Sequence, residues 1–201
     1  EAEPSEAFSK TIGIILPSSQ RDVYENAFHL EIIRGIGQFC NQRRYVNTVI
    51  TGESDKNTVT IDTSKGDVDV TFDDLKIDVS GKKEGDGSDD SPVQESKAAV
   101  TVQGDHDATI ELDGDNELKS GGYNAGLEKN EHESKGTLTI KDDKGKDGSL
   151  TAEGGFGGAG IGGGKNSSGA TNVNISGGEV HASTDYGNGG AGIGSGKESS
   201  G

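Results

Sequence analysis

The sequence predicts a mostly β protein: a right-handed parallel β-helix preceded by a short β-α-β segment. Three observations carry this reading. A glycine-rich corner recurs at a near-constant interval, short segments alternate apolar and polar residues between turn-forming clusters, and large apolar residues are scarce. Of 201 residues, 34 are glycine and only 28% are hydrophobic, where an ordinary globular domain is roughly 45–50% apolar with glycine counted. That excludes a thick close-packed core. A solenoid tolerates it, because each coil needs only a thin column of inward residues stacked on its neighbours.

The composition breaks near Gly52–Asp55, which sets an expected domain boundary between 1–55 and 56–201. Residues 1–55 hold all four arginines, the single cysteine Cys40 and 4 of the glycines; the other 30 follow the boundary. In the first part, Thr11–Leu16 is a continuous apolar run stopped by Pro17, which suits a buried strand. Phe28, Ile32, Ile33, Ile36, Phe39 and Cys40 recur at spacings of mostly three and four, one face of a helix. Tyr45–Ile50 reads as a second strand closed by Gly52. The stretches Lys10–Ser19, Asn26–Phe28, Glu31–Ile36 and Tyr45–Thr51 together resemble the start of the effector domain of lactose-repressor-family regulators, the maltose-operon type in particular. That resemblance implies a truncated sugar-binding fold, with Ser18, Asn26 and Phe28 as family sugar contacts. It supplies one alternative, a fragment of a sugar-responsive transcriptional regulator.

Beyond the boundary, strands are expected at Val59–Ile61, Val68–Phe72, Leu75–Val79, Val100–Val102, Ala108–Leu112, Thr137–Ile140 and Asn172–Ile175. Residues 81–97 read as a charged, mobile loop. The internal repeat aligns Leu118–Leu127, Leu150–Ile161 and Val180–Ile193. Their Ala-Gly-Leu/Ile triplets begin at Ala125, Ala159 and Ala191, two intervals of nearly equal length. One unit is then strand, turn, strand, glycine-rich corner, short strand. A β-sandwich is the alternative architecture, but it does not call for regular glycine corners. The chain stops inside a repeat, so further coils are expected beyond Gly201.

Val59–Ser64, Ala108–Leu118, Gly136–Ile140, Ala159–Gly164 and Asn174–Gly178 resemble the cellulose- and pectate-binding parallel β-helix family of bacterial cell surfaces. The resemblance implies a noncatalytic, extracellular or cell-surface carbohydrate-binding module, with calcium and with a polysaccharide such as cellulose or pectate as partner. A structural stalk or adhesin segment that binds no glycan is the competing reading, since adhesins share the Ala159–Gly164 type of corner.

The candidate binding residues are Tyr123, Phe156 and Tyr186, which occupy the same loop of three successive units. Facing out, they form a ladder for sugar rings; facing in, they are an internal stack. Asp105, Asp107, Asp113, Asp115, Asp142 and Asp143 are candidate calcium ligands, since stacking brings carboxylates of adjacent coils together, and hard oxygen donors suit Ca²⁺. Solvated turn residues are the alternative.

Other classes are disfavoured. The net charge of −16, from 35 acidic against 19 basic residues, argues against a nucleic-acid partner. No apolar run approaches the roughly 20 residues of a membrane span. The match of Gly158–Gly163 to a dinucleotide fingerprint lacks a surrounding βαβ unit, and Ala159–Lys165 fails the phosphate-loop pattern. His29, His106, His132 and His181 have no visible nucleophile partner set. A polysaccharide lyase is a minor alternative, weakened by the absence of arginine after residue 55.

Overall fold

The computed structural model describes residues 48–81, 97–143, 145, 147–185 and 189–199. The β-α-β reading falls almost wholly on residues 1–47, and most of the charged 81–97 loop on residues 82–96, both outside the described residues. The described chain is built from thirteen strands with no α-helix; Ile50–Gly201 is a single compact unit that holds them all but for the first two residues of the first strand.

The strands are β1 (Thr48–Ser54), β2 (Val59–Asp62), β3 (Val68–Asp78), β4 (Val100–Gln103), β5 (Ala108–Asp113), β6 (Asp115–Lys119), β7 (Leu127–Glu128), β8 (Leu138–Lys141), β9 (Ser149–Gly154), β10 (Ile161–Gly162), β11 (Val173–Ile175), β12 (Glu179–Thr184) and β13 (Ile193–Gly194). β1 pairs with β3 at the start of the solenoid.

The rest form three parallel columns, the signature of a β-helix. One runs β2, β4, β7, β10, β13. The second runs from the first half of β3 through β5 and β8 to β11. The third runs from the second half of β3 through β6 and β9 to β12. The two strands expected at 68–72 and 75–79 are one long β3, bent at Asp73–Asp74, where Asp74 takes φ 49°. The Asp74 carboxylate holds that bend against the next coil by accepting the Asp115 N–H at 2.9 Å.

Register places like on like. Val70, Ile110, Ile140 and Ile175 stack in one column, and Val100, Leu127, Ile161 and Ile193 in another. These columns, without the exposed Ile193 and with Phe72, Leu112, Leu118, Leu138 and Leu150, make the core. Burying each such side chain contributes about 1.5–3 kcal/mol. Burial declines in the last coil, where Val173, Ile175, Val180 and Ala182 are only partly covered and Ile193 is 51% exposed.

Two buried polar side chains pin the coils. Asn116, 2% exposed, accepts the Leu75 N–H at 2.9 Å and donates to Asp113 O and Ser149 O at 3.1 and 3.0 Å. One amide thus joins three successive coils. Asn116→Ala should lower the unfolding free energy by about 2 kcal/mol, the cost of stranding these buried groups, in a urea titration. Lys129 is fully buried, with Nζ donating to Ser134 O at 2.8 Å and Thr171 O at 2.9 Å.

Candidate functional site

The corner between β6 and β7 carries Tyr123, and the equivalent corner of the next coil, between β9 and β10, carries Phe156. Backbone hydrogen bonds fix one corner on the other: Gly155 N–H donates to Asn124 O at 2.9 Å, and Lys165 N–H to Tyr123 O at 2.7 Å. The two rings therefore stand side by side on adjacent coils and face outward, 53% and 43% exposed. Their centroids are 6.1 Å apart at an interplanar angle of 69°, an edge-to-face pair worth about 0.5–1.5 kcal/mol beyond area burial. Tyr186 lies outside the described residues.

Lys165 completes the corner. Its Nζ is 4.7 Å from the Tyr123 ring centroid and 5.2 Å from that of Phe156, within reach of a cation–π attraction to both. On the far side Lys165 Nζ is 3.9 Å from Glu198 Oε2, and Lys197 Nζ is 3.9 Å from Glu198 Oε1. One carboxylate is thus shared by two ammonium groups. Both lysine stems lie across Gly157, where an added Cβ would sit 3.0 Å from Lys165 Cδ and 3.3 Å from Lys197 Cβ. The corner is a strip of two rings, two cations and a glycine floor.

The sequence reading did not find Lys165. A signal for it exists: Gly164–Gly169 and Gly196–Gly201 repeat the pattern Gly-Lys-x-Ser-Ser-Gly, offset by the same interval that separates Ala159 from Ala191. Lys165 falls beside the two rings, and Lys197 lies over the same Gly157.

The six aspartates fall in three places. Asp105 and Asp107 lie on the exposed turn before β5, and the Asp107 carboxylate accepts the Thr137 N–H of the next coil at 2.7 Å. Asp113 and Asp115 flank Gly114 at the β5–β6 corner, and Asp115 accepts the Ser149 hydroxyl at 2.8 Å. Asp142 and Asp143 open the turn after β8; the first accepts the Gly148 N–H at 3.0 Å, and the second pairs with Lys141 at 2.7 Å.

Stacking does crowd carboxylates. Asp73 is the register partner of Asp113, and its carboxyl is pushed above the usual carboxylate range, first by burial and then by the Asp113 and Asp74 charges. Among the described residues, however, no group of three or more His, Cys, Asp or Glu side chains is arranged to hold a metal ion. A separate groove of about 400 Å³ is lined by Glu53, Asp55, Lys76, Asp78 and Glu117, with Lys76 paired to Glu53 at 3.9 Å. Its lining includes no aromatic face.

The stacked parallel columns define the class of this molecule as a parallel β-helix. In agreement, the profile of a family described as a beta helix repeat matches residues 146–165 and 173–197, two successive turns. No curated protein and no solved structure matches the chain. Among the described residues no helix is long and apolar enough to cross a membrane.

Proposed function

We propose that this β-helix is a noncatalytic polysaccharide-binding module of an extracellular or cell-surface bacterial protein, and that the Tyr123–Phe156–Lys165 corner receives an acidic glycan such as pectate. One observation supports the reading above the rest: two exposed rings on adjacent coils share a lysine cation, in a chain whose net charge is −16. Ring faces take the C–H face of a sugar. Lys165 and Lys197 supply the counter-charge, and Glu198 already occupies the place between them as a carboxylate. A uronate carboxylate would compete for that place. The six aspartates form no ready cage for calcium; binding that survives a chelator places recognition on the rings and lysines, and binding lost on chelation assigns a role to the aspartate turns.

The 69° angle and the lysine over both rings favour a second reading, a structural corner in a stalk or adhesin segment. The two separate in a pull-down of the chain on insoluble pectate and on cellulose, with calcium and with a chelator. Binding is expected, and Tyr123→Ala or Phe156→Ala should each weaken it about tenfold, as for loss of one aromatic contact. Lys165→Met should weaken pectate binding more than cellulose binding. A folded chain that binds neither polymer selects the stalk.

A further inference from the structure

Beneath the aromatic corner lies a hydrogen-bond relay whose polarity is fixed. Glu128 is 8% exposed. Its Oε2 accepts the Ala125 N–H at 3.0 Å, two residues past Tyr123, and its Oε1 accepts from Asn130 Nδ2 at 3.3 Å. The other end of that amide, Asn130 Oδ1, accepts the Gly164 N–H at 3.1 Å, one residue before Lys165. The relay therefore joins the loop bearing Tyr123 to the turn of the next coil bearing Lys165. Gly164 passes so close that an added Cβ would lie 2.9 Å from Glu128 Oε2.

The repeat itself does not demand these groups. In register, Thr101 precedes Glu128 and Gly162 follows it. Two residues further along each chain, Asn130 has Gly164 as its counterpart. The next coil stacks with glycine at both places, and the preceding coil has Thr101 in place of the acid. A carboxylate buried in one coil only is costly. Burial does push the Glu128 carboxyl above its usual range, with Glu133 adding to the effect, while the Ala125 and Asn130 hydrogen bonds oppose it. Among the described residues no cation pairs with it.

We propose that Glu128 and Asn130 are positioning residues that lock Tyr123 and Lys165 into one binding corner. The inference rests on the polysaccharide reading for its purpose but not for its geometry. The chemistry of the relay makes it testable. Glu128 must accept on both oxygens, because both the Ala125 N–H and Asn130 Nδ2 donate to it, and Asn130 must accept from Gly164. Glu128→Gln sets its NH₂ against the Ala125 N–H or, turned over, against the Asn130 donor. Turning Asn130 over relieves that contact but then sets its NH₂ against the Gly164 N–H. Adding Asn130→Asp restores the order: the new amide donates to the new carboxylate, which also accepts from Gly164. Asn130 Nδ2 also donates to Glu133 at 3.2 Å; in the double variant the new carboxylate repels Glu133, whose exposed side chain can swing into solvent.

The ligand-free readout is the NMR position of the Lys165 side-chain methylenes, which the two rings shift upfield. The second readout is affinity for soluble polygalacturonate. Glu128→Gln should return the methylenes toward the position of an ordinary lysine and weaken binding about tenfold, the equivalent of roughly one buried hydrogen bond. The double variant should recover both. Circular dichroism and a melting curve on each variant confirm that it is folded. An unchanged Lys165 signal in folded Glu128→Gln, or no recovery in the double variant, overturns the inference. If the signal follows the relay but the native chain binds no polygalacturonate, the clamp stands and the polysaccharide reading fails.

Discussion

Gly162→Ala should cost ~4 kcal/mol or more of unfolding free energy, while Gly194→Ala should cost only about 1–3 kcal/mol. The two glycines are register partners in β10 and β13 and have nearly the same backbone, φ 131° and φ 130°. Both sit where side chains are strained, so each substitution carries the same backbone term. They differ in what lies above. An ideal Cβ on Gly162 collides with Gly194 O and comes within 3.0 Å of Ala170 Cβ. On Gly194 the nearest contact is Ala191 Cβ at 3.6 Å. The difference between the two therefore measures how tightly one coil must seat on the next, with backbone strain cancelled. Urea titrations of the two variants give it directly. Equal costs would mean that the corner yields, and that close backbone approach is not what the glycines are for.

This pair also shows why the fold was legible in the sequence. The triplets at Ala125, Ala159 and Ala191 set a near-constant period, and the structure pairs Leu127 with Ile161 and Ile161 with Ile193, the last residue of each triplet. A solenoid translates register into sequence period, because each coil must return the chain to the same place. Alternation located β2, β4, β5, β8 and β11 to within a residue or two. It failed where the chain bends inside one strand. β3 runs through Asp73 and Asp74, acidic residues that read as a turn and do form a corner, yet the strand continues across it, pairing with β5 up to Asp73 and with β6 from Lys76.

The site was legible only in part. Tyr123 and Phe156 stand out because aromatics are rare in this chain and fall in equivalent loops, and the structure sets them side by side and outward. Their partners were hidden. Lys165, Glu128 and Asn130 are ordinary surface residue types, and what gives them a role is the next coil, a full period away in sequence. Local pattern sees the face of a strand but not which turn of the neighbouring coil closes over it.

Lys129 is the clearest such case. Lys129 stands among charged and polar residues in Leu127–His132, yet it is fully buried, and its ammonium serves two carbonyls, one from its own turn and one from the segment leading to β11. Lys129→Met keeps most of the stem but strands Ser134 O and Thr171 O. The buried Ser134 carbonyl left alone costs about 1–3 kcal/mol, and the Thr171 carbonyl less because that residue is exposed; both are offset in part because the ammonium need no longer be desolvated. A net loss of ~2 kcal/mol is expected. Proton linkage gives an independent check. Burial holds the Lys129 pKa below the ordinary value of 10.5, against the pull of Glu131 and Asp107. The folded state therefore releases this proton at lower pH than the unfolded chain does. Between those two values the unfolded chain binds more protons, so the contribution of Lys129 to stability grows with pH; below both it is constant. The stability gap between the native chain and Lys129→Met should thus widen as pH rises toward 10.5, with the other lysines cancelling in the difference. A gap that stays flat or narrows would show that the ammonium is solvated, and that the two carbonyls are bound by water instead.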